Sequence, residues 1–384
     1  MAAVLLGIAK IFPFQLVYVR AGVIGDFTTN LDYWASYKFL HSHEKQPYPI
    51  FFRSAVVSNK YLLSLWKKRV MIMPRFFTGF FSRLYAFCSS NKELAHLKFR
   101  LAEARGGVHL EQTLWSSPIA IAMPKADQER CREVLAEIGL PKNAKFFIFH
   151  GRDNAYKSWL LQNHKEFSAK EDKTDLKYNF RNVEISTYLP AVIDLVESHG
   201  LYAVRLGKVV KGSLGAKNPL VIDYASSDLK SDMLDIFLTA HCEFCLSSVS
   251  GIDTVPVTFR KPVFRANFIP IGHACQGVFD FFIPKKITRE DGTPLSLQQI
   301  FDAGIGYYFS ESDRGFRVVN NTDEEIRQFA LDAFQECFGG QNLDDEALAV
   351  RERFAQIMKK NGLEVPSRCR IGIGYAKANP WFLA

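Results

Sequence analysis

The sequence predicts an α/β fold of two parallel-sheet units in tandem, and three observations carry that prediction. Apolar strand patterns alternate with helix-period patterns through the second half, which implies crossover connections and a parallel sheet covered on both faces. A strand running into a glycine turn occurs twice, at QLVYVRAGVIGDFTTN and again at KFFIFHGRDNAY. The 384 residues also exceed the ~250–300 at which a single core stops growing.

The elements follow in order. The first twenty residues, MAAVLLGIAKIFPFQLVYVR, are apolar, but no basic stretch precedes them and Lys10 interrupts them. They are therefore read as a buried strand and its approach rather than a secretory signal. Residues 16–19 form the first strand, and Gly22 and Gly25 make the turn that opens a helix. A helix over about 126–137 leads to a linker at 138–145, where Gly139 and Pro141 fall together. Residues 146–149 are a fully apolar strand, followed by the turn His150-Gly151-Arg152-Asp153. A helix over 183–198 closes at His199-Gly200; LYAVRLG and PLVIDY read as strands, DMLDIFLTA as a helix, CEFCLSS and PVFRANF as strands. Pro256, six residues beyond Ser250, makes the element between the last two short or kinked. FDFFIPKKI reads as a looser region, SLQQIFDAG as a helix and FRVVNN as a strand; helices over 323–337 and 344–360 come last, the first behind a capping stretch at 321–324. Residues 157–178 are charged and aperiodic, a surface excursion or a lid. The expected division is 1–140, 141–340 and a C-terminal helix and tail at 341–384 that packs back on the first unit.

Composition narrows the function. With 48% apolar and 23% charged residues the chain reads as globular, and no apolar run reaches the ~18 residues of a membrane span. Seven scattered cysteines give no disulfide framework and fit a reducing cytoplasm. Cys242 and Cys245, three apart on a strand, point to opposite faces and have no second pair to complete a metal site. The net charge of +8 is local: ten basic residues (Lys60, Lys67, Lys68, Arg69, Arg75, Arg83, Lys92, Lys98, Arg100, Arg105) stand against two acidic ones (Glu93, Glu103) between 60 and 105. The near-neutral remainder argues against a nucleic-acid partner. In that segment Lys67, Lys68, Arg69 and Arg75 interleave with Phe76 and Phe77, which suits the surface of an anionic membrane; a core helix with a solvated basic edge is the alternative.

Ligands of a parallel sheet bind beyond the carboxyl ends of its strands. There the sequence places Arg152 with Asp153, Arg205 with Gly207 and Lys208, Asp223 with Tyr224, and the run Ser247, Ser248, Val249, Ser250, Gly251. Guanidinium forks, an ammonium and a hydroxyl-rich turn with free amides match a diphosphate. There is no Walker A motif, no Gly-x-Gly-x-x-Gly and no Asp-x-Asp pair for a metal on a donor diphosphate. The expectation is a site without cofactor or metal, charge being met by arginine and backbone N–H groups.

The segments HGRDNAY, FRNVEISTYLPAVIDLVESHGLYAVRLGK and VIDYASSDLKSDMLDIFLTAHCEFCLSSVSGIDTVPVTFRKPVFRANFIPI resemble a family of bacterial glycosyltransferases linked to surface polysaccharides. That family has two Rossmann-like parallel-sheet domains facing a central cleft, the GT-B type. The resemblance covers 146–270 well, 20–30 weakly and the rest of the first half hardly at all. It implies that Arg152, Arg205 and the serine turn face a nucleotide-sugar donor, while the acceptor and the base come from the first domain. The pair His150-x-Arg152 also resembles the arginine of fucosyltransferase-like enzymes that holds the donor β-phosphate. Gly22, Gly25 and Asp26 are then the acceptor side, with Asp26 as base or as an N-cap; His41, His43 and Glu111 are weaker candidates. The expected activity is sugar transfer to a surface glycan or lipid-linked acceptor, in the cytoplasm or peripherally on the inner face of the membrane. A non-hydrolysing nucleotide-sugar 2-epimerase and a non-catalytic membrane-associated scaffold are the alternatives.

Overall fold

The computed structural model describes residues 2–99, 107–163, 179–275, 279–307, 315–340 and 343–384; most of the expected excursion, 164–178, lies outside them. The first half contains α1 (Ala2–Ile11), β1 (Phe14–Val19), α2 (Ile24–Leu40), β2 (Tyr48–Arg53), α3 (Lys60–Lys67), α4 (Thr78–Ser90), α5 (Gly107–Trp115) and α6 (Lys125–Glu137). The second begins with β3 (Phe146–His150), α7 (Ala155–Asn163), α8 (Leu189–His199), β4 (Tyr202–Arg205), β5 (Val221–Ile222), α9 (Asp232–His241), β6 (Cys245–Ser247) and α10 (Thr254–Thr258). It continues with β7 (Val263–Phe268), β8 (Phe281–Pro284), β9 (Lys286–Arg289), α11 (Leu297–Asp302), β10 (Phe316–Val319), α12 (Asp323–Phe338), α13 (Asp345–Lys360), β11 (Arg370–Ile371) and α14 (Ile373–Ala378).

The main sheet has seven parallel strands in the order β11-β8-β7-β6-β3-β4-β5. From β3 the chain first steps outward through β4 and β5, then returns to β3's other side with β6 and continues through β7 and β8. The order reverses between β3 and β6, and such a reversal opens a crevice at the strands' carboxyl ends. Strands β6, β7 and β8 are buried throughout, as a sheet covered on both faces requires. The chain has 33 phenylalanines, and their abundance has a packing reason. Phe147 of β3, Phe244 just before β6, Phe264 of β7 and Phe281 of β8 follow one another with ring centroids 4.7, 4.8 and 5.3 Å apart, close to the ~4.8 Å strand spacing.

The first half has a smaller parallel sheet, β1 paired with β2, extended by single-residue bridges from Lys98 to Leu16 and from Ile72 to Phe51. Side-chain alternation divides its faces. Val17, Val19 and Phe51 join the main core, while Phe14, Leu16 and Phe52 form a second cluster under α1 and α4.

Four sequence expectations change. Residues 2–11 are a helix with no buried residue, not the approach to a strand. The helix expected from 183 starts at Leu189, with Pro190 in its first turn and a 3-10 turn at Ile185–Tyr188 before it, since proline fits only a helix start. The looser region at 279–287 holds β8 and the start of β9. The tail adds β11 to the sheet edge beside β8, and it also meets the first half, where Ser367 Oγ and the Arg368 amide donate to Glu111 at 2.5 and 2.9 Å.

The two sheets meet along α2 and α10. Gly25 packs directly on Gly251, so that a Cβ on Gly25 would lie 3.1 Å from the Gly251 Cα. One turn further the Thr28 and Thr254 hydroxyls share a 2.8 Å hydrogen bond, and Arg260 donates to the buried Asp32 carboxylate at 2.8 Å.

Candidate active site

A cleft of about 260 Å³ opens at the point where the strand order reverses. Gly22, Val23, Ile24, Ser58 and Asn59 line it from the first half; His150, Arg152, Asp153, Tyr156, Lys208, Asp235, Ser250 and Gly251 line it from the second. Larger hollows of about 370 Å³ between α12, α13 and α14 and about 450 Å³ beside Phe12 and Tyr48 lie away from this edge. A third, of about 400 Å³, is lined by Asn182, Lys285 and Asn320 of the second half alone, whereas the 260 Å³ cleft joins both halves at the strand ends.

Its floor is the turn after β6, built on buried groups. Asp253 accepts two hydrogen bonds from Arg265, at 2.8 and 3.0 Å, and both side chains are buried. The Ser248 hydroxyl accepts from the Arg152 amide at 2.8 Å, tying the turn after β3 to the turn after β6. Ser247 is buried and donates to its neighbour's carbonyl. Ser250 and Gly251 are thus the members of the serine run that face the cleft.

Opposite them is the start of α2. Its N-cap, Val23, has no side chain that can accept a hydrogen bond, and Val23 and Ile24 line the cleft, which sets the positive end of the helix dipole beside it. Lys208 crosses from one half to the other, donating to the Ser58 carbonyl at 2.7 Å and Asp232 at 3.2 Å.

Positive charge gathers beside Arg152. Arg181 reaches the Val249 carbonyl at 3.4 Å. Lys285, only 3% exposed, donates to the carbonyls of Phe180 and Asn182 at 2.7 and 2.8 Å and to Asn320 at 2.6 Å. Burial, then the repulsion of Arg152 and Arg181, brings its pKa down to about 7. Like charges held this close make a strong attractor for an anion. Sequence reading missed both Arg181 and Lys285. Lys285 directly follows β8, so the strand-end rule would have found it had that strand been recognised.

His150 is half-buried, against Leu206 and Ser250. Its Nδ1 lies 2.9 Å from the Leu206 carbonyl and its Nε2 3.1 Å from Ser250 Oγ. A carbonyl only accepts, so Nδ1 carries the proton. Burial holds the pKa below the usual histidine value, which leaves Nε2 with its lone pair and Ser250 donating to it. Asp235 lines the cleft, accepts from the Tyr224 hydroxyl at 3.0 Å, and is pushed up to about 6 by burial.

Several expected residues sit elsewhere. Arg205 is 4% exposed and donates to the Gly212 carbonyl at 2.9 Å and to Asp223 at 3.3 Å. Register explains it: Arg205 pairs with Phe149 in β3, so it lies inside the sheet, and Lys208 is the residue level with Arg152. Asp223 accepts from Arg205, the Leu214 amide and Ser226, shaping the loop after β4. Tyr224 is buried behind Asp235. Asp26 follows Gly25 in the first turn of α2, but it pairs with Arg20 at 2.8 Å and is not among the lining residues; nor is it the N-cap. Gly22 lines the cleft and Gly25 forms the seam. His41 stacks on Tyr37, His43 faces Glu44, and Glu111 holds the tail, all outside the cleft.

Lys67, Lys68 and Arg69 end a helix whose Leu62, Leu65 and Trp66 are buried in the main core, which is the core-helix alternative. Arg75, Phe76 and Phe77 form an exposed 3-10 turn before α4. The described cysteines are unpaired, and no group of three His, Cys, Asp or Glu able to hold a metal occurs among the described residues.

Fold and site together define an α/β protein with a crevice at the switch point of a parallel sheet, lined by Arg152 and Lys208 together with Asp153 and Asp235. No family model matches the sequence, and no curated protein matches it. Among solved structures, the ADP-heptose lipopolysaccharide heptosyltransferase II of E. coli overlays on 84% of this chain and 99% of its own, with 11% identity and a TM-score of 0.41. A family 9 glycosyl transferase from Veillonella parvula gives 85% and 99%, 10% identity and a TM-score of 0.43. The iron-containing dodecameric glycosyltransferase TibC of enterotoxigenic E. coli gives 67% and 60%, 11% identity and a TM-score of 0.35. At such identities and scores these likenesses carry no weight for substrate or activity.

Proposed function

We propose that the chain is a metal-independent glycosyltransferase that binds the diphosphate of a nucleotide-sugar donor in the switch-point cleft and passes the sugar to a glycan or lipid-linked acceptor. One observation carries the reading: the reversal of strand order between β3 and β6 puts Arg152, Ser250 and Gly251 in one cleft with the uncapped start of α2. Arg152, with Arg181 and Lys285 behind it, offsets the charge that grows on the leaving diphosphate, and the first-turn amides of α2 add fixed dipoles. Preorganised donors of this kind are worth ~2.7–4 kcal/mol each in a reaction barrier.

The acceptor hydroxyl needs a base, and Asp235 replaces Asp26 in that role. It faces the cleft, and a carboxyl pushed up to about 6 is still ionised near neutral pH while basic enough to take a proton.

Thermal unfolding in the presence of uridine, guanosine, cytidine and thymidine diphosphates and CMP tests the reading. A ligand at a hundred times its Kd adds ~2.7 kcal/mol of stability. One of these nucleotides is expected to raise Tm in the wild type, and Arg152→Ala and Arg181→Ala are expected to remove the rise. Arg205→Ala is expected to lower Tm without removing it. If no nucleotide raises Tm, the proposal fails. Incubation with sugar nucleotides alone then separates the chemistries: slow release of nucleotide supports transfer, whereas an isomerised sugar nucleotide supports epimerisation.

A further inference from the structure

We propose that the outer face made by α1 and α4 docks on the headgroup region of an anionic lipid bilayer. Both helices cover the side of the small sheet that faces away from the main core, α1 turning Leu5 and Leu6 inward and α4 turning Leu84, Tyr85 and Cys88 inward. Their opposite sides are apolar as well. On α1, Val4, Ile8 and Ile11 repeat at helical spacing and are exposed, Ile11 by 88%. Beside α4, Phe76 and Phe80 do the same, Phe76 being 78% exposed, and Arg83 continues their stripe on the exposed side. A helix that is apolar on both sides calls for two apolar neighbours, and the described residues supply one.

Charge decides what the second is. Lys10 lies in α1 and Arg83 in α4, with Arg75 just before α4 and Lys92 just after it, and neither helix contains an acidic residue. Arg75 already stands close enough to Arg53 for their charges to repel. A second copy of the same face would bring cations against cations. Anionic headgroups neutralise them while the phenylalanine rings and aliphatic side chains enter the acyl boundary. No described helix is long and apolar enough to cross a membrane, so the contact lies in the plane of the surface.

This surface does not depend on the proposed reaction. The test is cosedimentation of the full chain with vesicles of phosphatidylcholine alone and with roughly a third phosphatidylglycerol, at low and high salt. Partition is expected to be about tenfold greater on the anionic vesicles and to weaken with salt. The pairs Ile8→Glu with Ile11→Glu, and Phe76→Ser with Phe80→Ser, are each expected to lower it about tenfold with Tm and the nucleotide-induced Tm rise unchanged. Wild-type partition no greater than that of the variants overturns the proposal. So does a concentration-dependent dimer that the variants abolish while vesicles stay unbound. The Tm rise reports on the cleft separately, so loss of one conclusion leaves the other standing.

Discussion

At His150 a single proton decides what Ser250 can offer. With Nε2 unprotonated, the Ser250 hydroxyl donates to the ring and has only lone pairs left for the cleft. A phosphate oxygen also only accepts. Phosphate binding is therefore favoured when His150 takes a second proton, donates from Nε2, and frees the Ser250 proton. Asp253 and Asp153 favour that cation and Arg205 opposes it, but burial dominates and keeps the free-protein pKa low. Binding raises the pKa, so nucleoside diphosphate affinity is expected to fall as pH rises from about 6 to 8. Calorimetric titration in buffers of different protonation enthalpy measures the proton uptake, which His150→Gln is expected to lower, Lys285 supplying the remainder. Equal uptake in wild type and variant would exclude the coupling.

The contrast between Arg152 and Arg205 belongs to the same scale. Both end an apolar strand in the sequence, yet β4 is set so that Arg205 lies beside Phe149, three residues before the level of Arg152. Nothing in a single strand states its depth relative to its neighbours, because depth is set by pairing register.

Among the elements, the contact of α2 with the turn before α10 sets the mouth of the cleft. Gly25 and Gly251 are there for approach distance, not for backbone freedom, since neither has a positive φ. A Cβ on Gly25 would meet the Gly251 Cα at 3.1 Å and its carbonyl at 3.4 Å, backbone atoms that cannot swing aside. Gly25→Val is expected to lose ~1–3 kcal/mol in urea unfolding and to weaken nucleotide binding by spreading the two sides; unchanged midpoint and affinity would show that the seam yields freely. The short α10 agrees with the place of Pro256, and Thr322 and Glu325 form the expected capping box of α12. Strands β3, β6 and β7 were legible because a strand buried on both faces reads as a short apolar run. The helix α1 was not, because a helix apolar on both sides loses the polar stripe that reveals its period. In FDFFIPKK the proline and the paired lysines masked β8 and, with it, Lys285.

For the whole molecule, the buried pair Asp32 and Arg260 joins the two halves at a distance of 228 residues in sequence. Asp32 is 1% exposed, so removing its partner leaves a carboxylate without compensation. Arg260→Met is expected to cost about 3–5 kcal/mol in denaturant unfolding, and adding Asp32→Asn to recover part of that loss. Additive losses would show that the pair does not couple the halves.

Local pattern alone established the alternating α/β order, the strand turns that hold Arg152 and the serine run, and the concentration of basic charge in one segment, since apolar period and residue chemistry are properties of short stretches. Tertiary structure decided which cations face the cleft, that Asp235 and not Asp26 reaches it, and that α1 lies beside α4 on an outer face. Those outcomes depend on strand order, register and the packing of distant segments, and no short stretch contains them.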